Sequence, residues 1–166
     1  MKHIWAPWRM KYIKESSKFK CHSFKEKDCF ICQGRKGNQA KNLILYANAN
    51  ALVMLNRYPY NNGHLMVAPT RHVGEIEKLT PEEGDAVFEL VQKSVRILKK
   101  LMRPDGFNIG ANLGRYAGAG LPGHFHIHIV PRWVGDVNFF PLLADTKIVC
   151  ESLSITYKKL KPFFKR

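Results

Sequence analysis

The chain has 166 residues, of which 45% are hydrophobic and 24% charged, a composition typical of one folded soluble domain. This excludes a collagen-like or intrinsically disordered chain, and no stretch approaches the ~20 apolar residues of a membrane span. The formal charge is +14, and most of it lies at the ends: residues 1–27 carry +6 and residues 158–166 carry +5. Basic ends attract polyanions in general, so the charge alone names no partner.

Cysteine usage indicates a reducing compartment. Four cysteines are too few for a disulfide scaffold in a chain of this length. The amino terminus, Met1–Arg9, lacks the apolar run of about 7–15 residues that a signal peptide needs. We therefore expect a cytoplasmic protein with no membrane partner. Composition divides the chain into a basic arm over 1–28, a central domain over 29–150, and a helix with a basic tail over 151–166.

The first half of the chain predicts three strands. Residues 43–46 form a short apolar segment, and residues 51–56 form a longer one that is typical of a buried strand. The Asn-Gly pair at 62–63 is a strong hairpin signal, so residues 64–69 are predicted to be the return strand. Residues 33–42 are polar and contain glycine, which predicts a loop.

A long helix follows, and both of its ends are marked in the sequence. Thr80 is the predicted N-cap, Pro81 takes the first helical position, and Glu83 completes a capping box. Apolar residues then recur at a spacing of three to four residues, so one face of the helix should be buried. The helix should end before Pro104.

The last part of the chain predicts two more strands and a second helix. Strands over 107–112 and 124–130 flank a loop at 114–123 that holds four glycines, and residues 150–161 form the closing helix. One long helix inside a run of strands predicts the α+β class, with a mostly antiparallel sheet, one long helix and a C-terminal helix.

The predicted strand 124–130 is the most informative segment. Successive side chains of a strand face opposite ways, so His124, His126 and His128 share one face while the residues between them face the core. Three interpretations are open: histidines that are merely polar on an outer face, a three-histidine metal site, or a nucleophilic imidazole flanked by two others that orient it and bind an anion.

The glycine loop before these histidines favours the third interpretation. Gly118, Gly120 and Gly123 leave backbone N–H groups uncovered by side chains, and such groups can cradle phosphate oxygens. The loop lacks the G-x-x-x-x-G-K-[ST] pattern, so it is not a P-loop. An anion site beside the histidine face is therefore predicted.

The pattern His-φ-His-φ-His-φ-φ, filled by residues 124–130, resembles the signature of the histidine triad (HIT) family of nucleotide hydrolases and transferases. Residues 55–69 are similar to that family's nucleoside-binding hairpin, and residues 117–136 to its branch acting on dinucleoside tetraphosphates. The Trp-Ala-Pro-Trp segment at 5–8 also fits that branch. The resemblance implies a HIT-like fold, a homodimer, and an enzyme that hydrolyses or phosphorolyses dinucleoside polyphosphates such as diadenosine tetraphosphate.

The resemblance also implies a nucleotidyl-histidine intermediate. His126 would attack the α-phosphorus, His128 would bind the phosphate beside it, and His124 would complete the catalytic triad. Many family members carry a Gln-Ser or Gln-Thr pair shortly before the triad, where this chain has glycine and leucine at 120–121. This departure disfavours phosphoramidate and simple adenylate substrates, and it leaves open whether water or inorganic phosphate is the acceptor.

Five further residues take substrate-binding roles by the same resemblance. Asn56 would hold the ribose, and His64 would support the site from the hairpin. Asn112 and the backbone of Gly118 and Gly120 would contact phosphate oxygens.

The pair Cys29-x-x-Cys32 is half of a zinc-binding pattern. On its own it could also be two ordinary thiols or, less readily, a redox pair. Zinc-bearing members of the family combine such a pair with a histidine after the hairpin and with the first triad histidine. The resemblance therefore implies one structural, tetrahedral zinc ion with four ligands: Cys29, Cys32, His72 and His124. The pair at 21–22, Cys-His, is a competing source of ligands.

A second class of function stays open from the sequence. The basic ends, with Trp5 and Trp8, would also suit a zinc-stabilised nucleic-acid-binding module. Such a module should lose affinity steeply with salt, whereas an enzyme should carry labelled nucleotide on His126. Nucleic acid is the less favoured partner, because the sequence shows no separate DNA-binding domain.

Overall fold

The computed structural model of the chain describes residues 25–136 and 150–165. The segment at 5–8 and the pair at 21–22 lie outside the described residues, as does most of the predicted basic arm. Within the two described ranges, no helix is both long enough and apolar enough to span a bilayer.

A five-stranded antiparallel sheet forms the centre of the fold, as the sequence predicts. In chain order the strands are β1 (Ile44–Ala47), β2 (Ala51–Leu55), β3 (Leu65–Pro69), β4 (Gly106–Gly110) and β5 (Ile127–Arg132). Their spatial order is β1-β2-β3-β5-β4, so β1 and β4 are the edges of the described sheet. Gly63, at φ +71°, supplies the left-handed residue at the reversal between β2 and β3. β4 stops two residues short of its predicted end at 112.

The long helix, α2 (Pro81–Met102), covers one face of the sheet. The Thr80 hydroxyl accepts from the Glu83 N–H at 3.3 Å, and the Glu83 carboxylate accepts from the Thr80 N–H at 3.0 Å, which confirms the predicted capping box. The helix ends before Arg103, whose left-handed backbone (φ 47°) interrupts it. Helix and sheet together enclose the main core, which includes Val53, Leu65, Val67, Val87, Leu90, Val91, Leu98 and Ile129.

A short helix, α1 (Phe30–Lys36), occupies part of the segment 33–42 that the sequence predicts to be a loop. The prediction is wrong there because tertiary contacts stabilise this helix more than local propensity does. The Cys29 sulfur caps it by accepting the N–H three residues on, at 3.5 Å. A Cβ at Gly34 would lie only 3.3 Å from the Asn42 Cβ, so glycine allows the helix to pack tightly against the following loop.

The fifth strand begins at Ile127, three residues later than the predicted start at His124. Its register with β3 would place Phe125 opposite Pro69, which has no N–H to donate. The Phe125 N–H donates instead to the Val73 carbonyl at 2.7 Å. The alternation of side chains continues through this segment all the same. Phe125 lies in the main core, while the histidines on either side of it face α1 and the opposite surface of the sheet.

The chain closes with α3 (Leu153–Leu160) and a 3-10 turn (Lys161–Phe164), close to the predicted closing helix. Leu160 and Phe164 are fully buried in the main core. The Lys161 ammonium donates to two backbone carbonyls of β1, at 2.9 and 3.1 Å. These contacts fix the carboxy-terminal helix along the β1 edge.

Candidate active site

Three histidine rings form a contiguous row at the start of β5. The rings of His126 and His128 lie edge to face with their centroids 4.8 Å apart, and the ring of His64 lies 5.1 Å from that of His128. His64 belongs to the connection between β2 and β3 and is fully buried. The fold thus brings a hairpin residue beside the two later histidines of the triad.

The backbone of His124 determines which nitrogen of the His126 ring is protonated. His126 Nδ1 lies 2.8 Å from the His124 carbonyl oxygen. A carbonyl oxygen can only accept, so Nδ1 carries the hydrogen of the neutral ring and donates it. The other nitrogen, Nε2, therefore keeps its lone pair, which is the form of imidazole that can attack an electrophile.

A chain of contacts gives His128 the opposite arrangement. The Tyr60 N–H donates to His64 Nδ1 at 3.0 Å, so the hydrogen of the neutral His64 ring sits on Nε2. That N–H points at His128 Nδ1, 2.9 Å away. His128 therefore carries its own hydrogen on Nε2. A ring with an available lone pair and a ring with an available N–H stand side by side.

Burial keeps these rings neutral. It lowers the pKa of His124 and of His128 to about 4, and it moves the pKa of His126 below its usual value. The neighbouring His126 lowers the pKa of His128 further. Near neutral pH the rings of His124, His126 and His128 are therefore uncharged, as the tautomers assigned to His126 and His128 require.

The ring of His124 takes no part in the row, because it faces a cluster of cysteines. Its Nδ1 lies 3.3 Å from Cys29 Sγ and 3.4 Å from Cys32 Sγ, and His72 Nδ1 lies 3.4 Å from Cys32 Sγ. One ligand atom from each of the four residues lies within 4.8 Å of the others. The structure brings together the four residues that the resemblance assigns to zinc.

The donor set fits a tetrahedral zinc ion. Zinc bonds of about 2.0–2.3 Å place neighbouring nitrogen and sulfur ligands about 3.5 Å apart, close to the observed separations. His124 Nε2 donates to the Pro69 carbonyl at 2.9 Å, so its Nδ1 lone pair faces the cysteines, the tautomer that a metal ligand needs. Burial, and then contact with Cys29, raises the pKa of the Cys32 thiol to about 12, a cost that a bound divalent cation would offset.

The glycine loop lies between β4 and the histidine row. Gly118 has φ +90°, and its N–H is already donated to the Arg115 carbonyl at 3.0 Å. Among the described residues, the Gly120 N–H has no protein acceptor. The Asn112 amide donates to the Gly118 carbonyl at 3.3 Å and so braces the loop, but it makes no hydrogen bond to a histidine ring of the described chain.

A cavity of about 350 Å³ adjoins the row on the side of the sheet away from α2. Its floor includes Met54 and Met66, which pair in register, and Met66 pairs with His128 on the next strand. Asn56 lies where the cavity meets the row, with its Nδ2 3.5 Å from His64 Nε2. Phe30 of α1 forms part of the opposite wall and is 47% exposed. The volume of this cavity lies within the usual range for a small-molecule binding site, about 300–1,000 Å³.

Sequence reasoning missed several residues of this site. Tyr60 stacks on His64 with ring centroids 4.9 Å apart, and its role depends on its backbone, which leaves no signal in the sequence. Phe30 was missed because α1 was missed. Its position between two predicted zinc ligands, Cys29 and Cys32, was the available clue.

The fold and the histidine row define a known class of protein. Residues 37–134 match the HIT domain model, which is more than half of the chain. The protein therefore belongs to the HIT domain family, as the sequence resemblance predicts.

Two enzymes and one solved structure are similar to this chain. An AP-4-A phosphorylase of Mycobacterium tuberculosis (strain CDC 1551 / Oshkosh) is 37% identical over 161 residues, 96% of this chain and 83% of the relative. An asymmetrical bis(5'-nucleosyl)-tetraphosphatase of Schizosaccharomyces pombe is 33% identical over 95 residues, 57% of this chain and 52% of the relative. A Zn-bound histidine triad family protein of Mycobacterium smegmatis shares the fold, with a TM-score of 0.64 at 22% identity over 84% of this chain and 95% of that one.

Proposed function

We propose that this protein cleaves dinucleoside polyphosphates through a nucleotide bound covalently to His126. The observation that carries the proposal is the pair of neutral rings, His126 with a lone pair on Nε2 and His128 with an N–H on Nε2. The names of the two enzyme relatives, a phosphorylase of AP-4-A and a bis(5'-nucleosyl)-tetraphosphatase, support this class of substrate.

In the first step, the lone pair of His126 Nε2 attacks the α-phosphorus and forms an N–P bond. The bridging P–O bond breaks, and its electron pair leaves with the oxygen of the departing nucleoside polyphosphate. The His128 N–H donates to a phosphate oxygen and stabilises the charge that gathers there. The reaction needs little more than positioning and charge stabilisation from the protein.

In the second step, an acceptor oxygen attacks the same phosphorus, the N–P bond breaks, and its electron pair returns to His126. We propose inorganic phosphate as this acceptor, because the phosphorylase relative matches 96% of the chain and the tetraphosphatase relative 57%. With diadenosine tetraphosphate, phosphate as acceptor yields ADP and ATP, whereas water yields AMP and ATP.

Substrate contacts follow from the groups that surround the row. Asn56 would hold the ribose from the edge of the cavity. Its Oδ1 accepts from the Tyr58 N–H at 2.9 Å, and its amide nitrogen, 3.5 Å from His64 Nε2, has a second N–H that would donate to the ligand. His64 acts by fixing the tautomer of His128. The Gly120 N–H would meet phosphate oxygens, while Gly118 and Asn112 would shape the loop that presents it.

We infer that the cysteine and histidine cluster binds zinc in a structural role. Four protein ligands close a tetrahedral site and leave no position for substrate. The bound ion would tie α1 to residues 72 and 124. Buried thiols that must stay reduced to bind a metal suit a cytoplasmic location, where disulfides are rare.

We also infer that the protein forms a homodimer through β4. This strand is an edge of the described sheet, and an exposed edge favours pairing with another strand. Ile109 of β4 is 49% exposed and Phe88 of α2 is 62% exposed. A second copy that adds its own β4 would extend the sheet and cover apolar surface on the α2 side.

Product analysis tests the proposed reaction. Diadenosine tetraphosphate is incubated with and without inorganic phosphate, and the nucleotides are separated by chromatography. We expect phosphate-dependent formation of ADP and ATP. Radiolabelled adenylate should remain on the wild-type protein after a quench that avoids acid, and His126→Asn should abolish both labelling and turnover while AMP still binds. Turnover by His126→Asn, or a label on another residue, would contradict the proposal.

A further inference from the structure

Two amide side chains line the cavity at a distance from the histidine row. Gln33 lies on α1, and Asn42 lies in the loop that follows it. The other walls named above, Phe30, Met54 and Met66, are apolar and offer a base stacking and dispersion contacts but no hydrogen bonds. The other polar residues of the lining, Arg57 and Tyr58, directly follow Asn56 in the chain. Gln33 and Asn42 are therefore the polar side chains that other parts of the chain contribute to this cavity, where they can meet a base.

The backbone fixes the orientation of both amides. Gln33 Nε2 donates to the Lys27 carbonyl, and Asn42 Nδ2 donates to the Gly34 carbonyl at 3.4 Å. A carbonyl oxygen only accepts, so in each side chain the nitrogen must face the backbone. Each amide oxygen is left for another partner. Both side chains line the cavity, so these oxygens are the acceptors that Gln33 and Asn42 can present to a ligand bound there.

We propose that Gln33 and Asn42 read the base of the bound nucleotide and select adenine, through its exocyclic amino group, over hypoxanthine and uracil. The proposal rests on the proposed function, because it takes the cavity to hold the nucleoside part of the substrate. Asn56 supports that placement, since it joins the cavity to the histidine row.

The selection follows from hydrogen-bond complementarity. An amino group supplies two N–H donors, which match two amide oxygens. Hypoxanthine has a carbonyl where adenine has its amino group, and it has one ring N–H beside that carbonyl. Uracil in UMP also offers a carbonyl and one ring N–H. With either base, at least one amide oxygen would face another acceptor or lose its water without gaining a partner. An unsatisfied polar group in a binding site weakens binding substantially, so the oxo bases should bind less tightly.

Calorimetry on the full-length protein tests this with AMP, GMP, IMP and UMP, which are not turned over. We expect AMP to bind about five- to tenfold more tightly than IMP, the equivalent of one net hydrogen bond, and GMP, which shares the C6 carbonyl of IMP, to bind less tightly than AMP. Gln33→Met keeps the length of the side chain but removes its acceptor, and it should reduce the AMP to IMP affinity ratio to below about twofold. Gln92→Met, the same change on the exposed face of α2, is the matched control and should leave the ratio unchanged.

A second variant covers the case in which Gln33→Met does not fold. Asn42→Leu keeps the approximate volume of the side chain but removes its oxygen, so it should also lower the AMP to IMP ratio. Equal binding of AMP and IMP to the wild type, or an unchanged ratio in Gln33→Met, would overturn base reading but leave the proposed function standing. If no mononucleotide binds, both proposals are wrong.

Discussion

His64 Nε2 lies 2.9 Å from His128 Nδ1, and this contact sets the position of the hydrogen on both rings. It joins the hairpin between β2 and β3 to the strand that carries the triad. The Tyr60 N–H donates to the other nitrogen of His64, so hydrogen bonds are donated from Tyr60 to His64 and from His64 to His128. His64 therefore acts as a positioning residue, because it touches the site through another ring.

Replacing His64 by phenylalanine should lower kcat by about tenfold to a hundredfold, a loss comparable to that of an outer partner of a metal-bound histidine. Phenylalanine keeps a ring that can stack on Tyr60 but cannot donate to His128, so the His128 hydrogen is no longer fixed on Nε2. KM should change less than kcat, because the cavity is intact. Steady-state kinetics with diadenosine tetraphosphate measure both, and an unchanged kcat would contradict the assigned role.

Loss of the proposed zinc ion should weaken nucleotide binding as well as stability. The short helix α1 bears two side chains of the cavity, Phe30 and Gln33, each one residue after a predicted ligand, Cys29 or Cys32. Chelation, or Cys32→Ser, should therefore lower Tm and raise the dissociation constant for AMP.

Cys150→Ser is the matched control for that experiment, because Cys150 is exposed and lies outside the cluster. It should keep one zinc per chain by atomic emission spectroscopy and retain the wild-type Tm. If Cys32→Ser keeps its full metal content, the ligand assignment is wrong.

The ion pair between Arg71 and Glu83 should make stability depend on pH in the acid range. Arg71 donates to the Glu83 carboxylate at 2.7 and 2.8 Å and lowers the pKa of this buried carboxyl. A lowered pKa stabilises the fold above the unfolded value, and that contribution is lost as pH falls through the folded value. Glu83→Gln should cost about 1–2 kcal/mol at pH 7, since it also weakens the capping box.

Chemical denaturation at several pH values would measure this effect. The gap between wild type and Glu83→Gln should shrink as the pH falls below 4.5, the ordinary pKa of a glutamate. Glu89→Gln, an exposed residue of the same helix, should show no such gap. A gap that stays constant down to pH 2 would contradict the assignment of the shift to Glu83.

The proposed dimer predicts a clear difference between two isoleucines of similar exposure. Ile109→Lys should give a monomer in light scattering, because a charge would be buried where two copies of β4 meet. Ile155→Lys, at a residue 55% exposed on α3, should leave the oligomeric state of the wild type unchanged. A wild type that is already monomeric at micromolar concentration would refute the dimer.

Gly74 should tolerate no side chain. A Cβ there would lie 2.5 Å from the Pro122 carbonyl oxygen and 3.1 Å from the backbone of Gly123, which immediately precedes His124. Gly74→Ala should therefore destabilise the protein by about 1–3 kcal/mol, the usual cost of overpacking, and lower activity by displacing the glycine loop. Gly84→Ala, in α2 with no atom within 4 Å, should instead leave Tm equal or higher. Thermal melts of both variants, with activity assays, decide the comparison.

The elements with strong local signals were predictable from the sequence. The capping box at Thr80 and the Asn-Gly turn each depend on neighbouring residues, so composition and spacing were enough to locate α2 and the β2–β3 hairpin. The α+β class of the fold was predictable from the order of the helices and strands along the chain.

Features that depend on distant contacts were not predictable in the same way. α1 contains glycine and is only seven residues long, and it is stabilised by Cys29 and by packing on Asn42. The start of β5 depends on Pro69, which is remote in sequence. The amide orientations of Gln33 and Asn42 depend on backbone carbonyls whose positions only the folded chain specifies.

His124 uses different atoms for its contacts with the two halves of the site: the ring lies against the cysteines, and the main-chain oxygen accepts from His126. Every amino acid has that oxygen, so a mutation at 124 can remove a metal ligand without removing the acceptor that orients the neighbouring imidazole. Descendants of this gene could thus lose the proposed zinc ion and stay active, provided that other contacts hold α1 in place and so preserve both stability and the cavity wall. The two properties are separable in evolution even though a single codon specifies both.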